Sequence, residues 1–216
     1  SNHINILEPI ICEYENYIKY DKLVNETDNA ELKLDNRNKS ISSYAETNRL
    51  ITSLASMITY DKTQGKDPFW NNSAKNLLEG LIGFFLEEYK DGKIKREQIT
   101  MTSIRKFQNS TMEDKNSKKF KFYIEQKPYG SKSKDSLIPI LSSSENTYKS
   151  ITSVFSEKMA IFDDVNVANV TSRSDFDFDI LGKEQSALFV IVPDEDKIYY
   201  TLVTIILGLL YKELVK

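Results

Sequence analysis

The residues best placed to do chemistry lie between Lys115 and Lys134. Seven lysines, Lys115, Lys118, Lys119, Lys121, Lys127, Lys132 and Lys134, stand there against a single acid, Glu125, with Phe120, Phe122, Tyr123 and Tyr129 interleaved. Ammonium groups hold phosphates without regard to base, and aromatic rings stack on bases of any kind. The pattern therefore suits a platform for single-stranded nucleic acid. It also suits a solvated lysine-rich loop whose aromatics fix it to the core, because lysine is frequent along the whole chain. Both readings stay open on residue types alone.

A second group is acidic. Asp175, Asp177 and Asp179 alternate in "SDFDFDI", so an extended backbone would turn all three to one side, where a divalent cation could use them. The competing reading points Phe176, Phe178 and Ile180 into the core and leaves the acids in water. Asp163 with Asp164, and Asp194 with Glu195 and Asp196, fall at element boundaries, where carboxylates complement helix N-termini. His3 is the only histidine and Cys12 the only cysteine. That argues against Ser-His-Asp and Cys-His nucleophiles, histidine-based zinc sites and disulfides within the chain; a lone cysteine fits a reducing compartment. "TQGKDP" lacks the first glycine and the hydroxyl of a phosphate-binding loop, and no G-x-G-x-x-G follows a strand. No catalytic, cofactor or metal residue is therefore expected in this chain. A net charge of -3 gives no global attraction to nucleic acid or an anionic membrane, so any such contact must be local.

The elements that would position these residues read mostly as helices. With 216 residues, 40% apolar and 28% charged, the chain suits one domain, or one with an appendage. Seven glycines and five prolines are few for a turn-rich sandwich. "INILEPII", residues 4–11, reads as a strand stub broken at Pro9, and residues 12–42 as a solvated loop or weak helix. Tyr44, Asn48, Ile51, Ala55 and Ile58 then mark an amphipathic helix. "DPFWNNSAKNLLEGLIGFFLEEY" follows, with Asp67 as N-cap and Pro68 at the first helical position. Trp70, Ala74, Leu77, Leu78, Leu81, Ile82 and Phe85 form its core stripe. Phe69 and Trp70 are expected to anchor the helix start.

Further helices are expected over 96–108, with Thr100 a possible cap, and over 148–162, with another element starting near Leu137. "SALFVIV", residues 186–192, reads as a strand of the kind buried in a parallel sheet. Pro193 ends it, and "DEDK" opens a last helix in which 11 of the 14 residues from Ile198 to Tyr211 are apolar. That helix is too short to span a bilayer, and it needs more cover than this chain supplies. The expected fold is mainly α: a bundle of six to seven helices with two short strand remnants. Its parts are a junction strand (1–11), an all-α domain (12–183, with the Lys-rich segment 113–135) and a returning strand and buried helix (184–216). Ser1 and Asn2 look like a cleavage scar, which makes the chain a fragment of something longer.

Three segments carry a family resemblance: "DPFWNNSAKNLLEGLIGFFLEE", "TYKSITSVFSEKMAIFDDVNVANVTSRSDFDFDIL" and "SALFVIVPDEDKIYYTLVTIILGLLYKEL". In order and spacing they resemble the type IV secretion coupling proteins, the TraG/TraD-type ATPases of conjugative DNA transfer, especially the Gram-positive branch. Asp67, Pro68, Phe69 and Trp70 match that family's D-P-F-W. Over residues 1–66 the resemblance rests on "INILEP" alone. It implies an all-α domain inserted in a RecA-like motor, so that ATP and magnesium belong to the parent protein. It implies a membrane-distal cap on a homo-hexameric, membrane-anchored ATPase, itself cytoplasmic, free of direct membrane contact and monomeric when isolated. The cap would engage DNA, single-stranded by this reading, or relaxase, relaxosome accessory and effector proteins, without catalysis of its own. No family residue maps onto the lysines of 113–135, whose role in substrate contact comes from their chemistry alone. A module that docks relaxosome proteins without touching DNA, and a metal enzyme built on the aspartate face, remain as alternatives.

Overall fold

The computed structural model describes residues 3–60, 68–112, 114–175, 185, 187–191 and 198–214. Among them are nine α-helices: α1 (Glu8–Glu26), α2 (Ala30–Thr59), α3 (Phe69–Lys90), α4 (Met101–Thr111), α5 (Asp114–Glu125), α6 (Lys132–Leu141), α7 (Glu145–Met159), α8 (Val165–Val170) and α9 (Ile198–Leu214). Two 3-10 turns, Arg96–Gln98 and Ala160–Asp163, complete the set. The mainly α expectation holds. Asp67, Asp177 and Asp179 lie outside the described residues, as does the side chain of Lys115.

The apolar stripe read from Trp70 onward becomes the central helix. In α3, Ala74, Leu77, Leu78, Leu81, Ile82 and Phe85 are all buried, and α1, α2, α4, α6 and α7 pack around them. Pro68 holds the helix entrance at φ -72 and its carbonyl accepts from the N–H of Asn72. Of the two aromatics expected to anchor this end, only Trp70 does so, half-buried against the core. The Phe69 ring meets it edge-on at 4.9 Å but stays 47% exposed. At the far end Gly92 takes φ +71 while its N–H bonds the carbonyl of Tyr89, a left-handed helix stop that suits glycine.

The strand remnants are corrected. Residues 4–7 are buried, but as an irregular lead-in. The Ile4 N–H donates to the Val170 carbonyl at 2.7 Å and the Asn5 amide to the Ile99 carbonyl at 2.9 Å. Pro9 does not break a strand; it sits in the first turn of α1, where its missing N–H costs nothing. The polar stretch 12–42 is likewise helical for most of its length. α1 and α2 form an antiparallel hairpin, with Tyr17 and Tyr44 rings 5.0 Å apart. Asn29 caps α2, accepting from the N–H groups of Glu31 and Leu32. Residues 187–191 form no strand, and Phe189 and Ile191 are exposed; Ser186 and Val192 are outside the described residues.

α4 begins where Thr100 caps it, its hydroxyl accepting from the N–H of Ser103. α7 buries Tyr148, Ile151, Phe155 and Met159. Asp164 caps α8 as a boundary carboxylate should, and Asp163 instead pairs with the buried Arg105 guanidinium at 2.6 Å. α9 lays Leu202, Ile205, Ile206, Leu209 and Leu210 onto the bundle and leaves Leu207, Tyr211 and Leu214 exposed, so its apolar circumference is only partly covered. Among the described residues no helix is long and apolar enough to cross a membrane.

Two glycines notch α3 where α6 crosses. A Cβ on Gly80 would lie 2.5 Å from Leu137 Cγ, and one on Gly83 would lie 2.9 Å from Lys132 Cγ. The notches let the α6 backbone approach the core helix closely. Gly80→Ala gains about 1 kcal/mol of helix propensity but overpacks the crossing by roughly 1–3 kcal/mol. Urea unfolding is therefore expected to show a net loss on the order of 1 kcal/mol. Equal or greater stability of the variant would show that the crossing is loose.

Candidate functional site

The lysine-rich segment is helical from Asp114 rather than a loop. Phe120 and Ile124, four residues apart, are buried beneath α5. The Phe120 ring lies 5.2 Å from both Phe84 and Phe107. That anchorage turns Lys118, Lys119 and Phe122 outward, and Phe122 is 66% exposed. Lys121 is half-exposed and lies 3.9 Å from Glu125, one turn on. Lys118 and Lys121 also line a cleft of about 550 Å³ with Ser117, Ser143, Glu145 and Tyr148. In that cleft a hydrogen bond from Lys149, and more weakly the charge of Lys118, holds Glu145 below the ordinary glutamate pKa.

Tyr123, Lys127 and Lys132 instead reach acids on α3. Lys127 is 9% exposed; its ammonium lies 2.6 Å from Glu88, 3.4 Å from Asp91 and 3.9 Å from Glu87. Burial pulls the Lys127 pKa down, but its hydrogen bond and attraction to Glu88 prevail and raise it overall. The Tyr123 hydroxyl donates to Glu88 at 2.8 Å and receives the Lys93 ammonium at 2.6 Å. Lys132 pairs with the buried Glu79. The Ser133 hydroxyl and N–H both donate to Glu87. Burial raises the Glu87 pKa, and the Ser133 bonds only partly oppose it. Lys134 caps the end of α5, donating at 2.8 Å to the carbonyls of Glu125 and Lys127.

Between these anchors the chain makes a tight turn. The Ser131 N–H bonds the Pro128 carbonyl at 3.3 Å, and Gly130 at the third position takes φ +78, a conformation that L side chains avoid. The turn lifts Tyr129 to 95% exposure, with the Lys134 ammonium 4.3 Å from its ring. The Tyr44 hydroxyl donates to the Gly130 carbonyl from beneath. Behind Tyr129 opens a cleft of about 500 Å³, walled by Tyr17, Tyr44 and Tyr123, with Glu87 and Asp91 among its lining and Lys90 beside it. The Lys90 ammonium donates to the Tyr17 hydroxyl at 2.8 Å, 4.4 Å from the centre of that ring, and lies 3.0 Å from Asp21.

Sequence reading named the lysines but missed Glu79, Glu87, Glu88 and Ser133, which decide where they point. The available signal was a carboxylate inside an otherwise apolar helix, which must find a partner. Of the aspartate face only Asp175 lies among the described residues. Asp175 accepts from the His3 backbone N–H at 2.9 Å, lies 2.6 Å from the His3 ring and pairs with Arg173 at 3.0 Å. These hydrogen bonds hold it well below the usual carboxylate range. Among the described residues no three His, Cys, Asp or Glu side chains gather as a metal site would need.

The sequence matches a family described as type IV secretory system conjugative DNA transfer over residues 38–215. That stretch takes in most of α2, all of α3 to α9, the α5 surface and the Tyr129 turn. No curated protein matches the chain.

Truncating Lys127 leaves Glu88 buried with only Tyr123 and Lys93 as partners. Lys127→Met is expected to lose about 2–3 kcal/mol in chemical denaturation, somewhat less than for a buried ion pair left with no partner. Lys118→Ala, on the exposed face, is expected to stay within roughly 0.5 kcal/mol of the parent. Equal effects from the two would contradict this division of roles.

Glu87 gives a pH-dependent expectation. Its pKa is raised on folding, so the native state binds this proton more readily than the unfolded chain. The cost of the charged form is present above the folded pKa and relieved as pH falls through it. Glu87→Gln keeps an acceptor for Ser133. It is expected to unfold no more easily than the parent at neutral pH, with any advantage shrinking through the carboxylate range.

Proposed function

The chain belongs to the conjugative DNA-transfer family of type IV secretory systems, and from that premise we propose that its helical bundle receives the substrate for transfer, holding single-stranded DNA along the outer face of α5. The observation that carries this reading is the orientation of that helix. Its apolar residues are locked under the bundle, and Lys118, Lys119 and Phe122 are held outward together. Lysines on a fixed helix give an electrostatic contact that ignores base sequence, and a neighbouring ring supplies stacking. A net charge of -3 repels DNA from the rest of the surface and confines it to this strip.

In this reading the bundle is an all-α cap on a coupling protein of the conjugative machinery and performs no catalysis itself. ATP hydrolysis with magnesium belongs to a RecA-like motor elsewhere in a hexameric, membrane-anchored parent, and the bundle lies on the cytoplasmic side. Relaxase and accessory proteins of the relaxosome reach the same cap together with the DNA. The acidic balance of the chain favours a second reading, in which the cap docks those proteins alone.

Fluorescence anisotropy with a labelled oligothymidine separates the two. Affinity is expected to fall steeply with salt, by a slope of about 0.7 for each phosphate contacted. The combined Lys118→Glu, Lys119→Glu and Lys121→Glu variant is expected to weaken binding roughly tenfold or more at moderate salt while remaining folded. Binding indifferent to salt, or intact in the triple variant, would overturn the α5 assignment. Capture of a relaxase with no DNA binding at any salt would select the protein-only reading.

A further inference from the structure

We propose that Tyr129 and the tyrosine-walled cleft behind it form a base-stacking site for single-stranded DNA, so that bases leave the lysine strip of α5 and enter a built aromatic slot. The proposal rests on the DNA-binding reading above and adds to it a location and a mode of recognition.

The turn carrying Tyr129 is fixed from several sides. Buried Lys127 fastens its upstream end to α3 through Glu88, and Lys134 ties the end of α5 to the start of α6. Tyr44 bonds the Gly130 carbonyl, and the positive φ of Gly130 sets the bend. A 95% exposed tyrosine at the tip of so constrained a turn contributes little to the bundle's own packing. The backbone beneath its ring has little conformational freedom left to lose on binding, which favours stacking.

The cleft behind it suits a base better than a phosphate. Its carboxylates are already matched: Glu87 by the hydroxyl and N–H of Ser133, Asp91 by Lys93 and Lys127. The floor therefore offers an incoming phosphate no unopposed positive charge. The walls offer flat, half-buried rings, Tyr17 and Tyr44, 5.0 Å apart. Lys90, which donates to the Tyr17 hydroxyl and to Asp21, can pass from Asp21 to a backbone phosphate at the rim as a base enters. At about 500 Å³ the space lies in the range of small-molecule pockets, which is ample for one or two bases. A cationic peptide fits less well, since the carboxylates lining the cleft already have partners in Ser133, Lys93 and Lys127.

The test uses an oligonucleotide carrying 2-aminopurine, whose fluorescence falls when the base stacks. The parent chain is expected to quench it on binding. Tyr129→Ala, an exposed position that leaves the fold intact, is expected to abolish the quench and weaken affinity about tenfold. The salt dependence should remain unchanged, because no phosphate contact is removed. Tyr129→Phe is expected to restore both quench and affinity, since stacking needs the ring and not the hydroxyl. If Tyr129→Ala quenches and binds like the parent while the α5 triple variant loses salt-dependent binding, the slot is overturned and the α5 reading survives. If the parent chain binds no DNA at any salt, both are overturned. A cationic peptide that binds at Tyr129 while the oligonucleotide does not would likewise overturn the slot.

Discussion

Three carboxylates on the central helix organise this molecule. Glu79 and Glu88 are buried in α3, and Glu87, next to Glu88, is half-buried. An ionised carboxylate in a packed interior is costly unless a cation or several donors reach it. All the partners come from one stretch of chain or sit beside it: Lys127, Lys132, Ser133, Tyr123 and Lys93. The acids on α3 therefore dictate where the α5–α6 connection must lie. That connection in turn fixes both the outward face of α5 and the turn bearing Tyr129. Gly80 and Gly83 complete the arrangement by letting α6 come close enough for Lys132 and Ser133 to reach.

The helices whose apolar residues repeat were legible from sequence. The stripe from Trp70 to Phe85, the Thr100 cap and the period through Ile151, Phe155 and Met159 all translate directly into buried faces. α1 and the first half of α2 were not legible, because tertiary pairing and the Asn29 cap hold them more than any apolar period of their own. Residues 4–11 show the limit of reading hydrophobicity without backbone partners. The run reads as a strand stub, yet the polar groups of Ile4 and Asn5 bond to Val170, Ile99 and Ser174 rather than to a strand. Residues 187–191 are β-prone by composition, but a strand exists only where a neighbouring strand takes its hydrogen bonds.

The candidate site was half legible for a related reason. Residue type identifies a lysine as able to meet a phosphate, but its surroundings decide whether it is free to do so. Lys118 and Lys119 fall on the helix face opposite Phe120 and Ile124 and remain in water. Lys127 and Lys132 have the same side chain and the opposite fate, because α3 sets carboxylates opposite them. Tyr17 lies in a stretch whose fold could not be read and Tyr44 at the start of a helix that could, so their meeting around the Tyr129 turn, more than eighty residues on from Tyr44, left no trace in local spacing.

In the proposed reading, the division of the lysines would let an acidic chain meet a polyanion. Pairing Lys127 and Lys132 internally neutralises the acids that would otherwise project negative potential through the bundle toward α5. The unburied lysines then act over short range, within about 10 Å at moderate salt, on whatever strand lies along the helix. Contacts of this kind, phosphate to ammonium and base to ring, discriminate little among sequences. Tolerance of that sort would suit a family of conjugative DNA transfer.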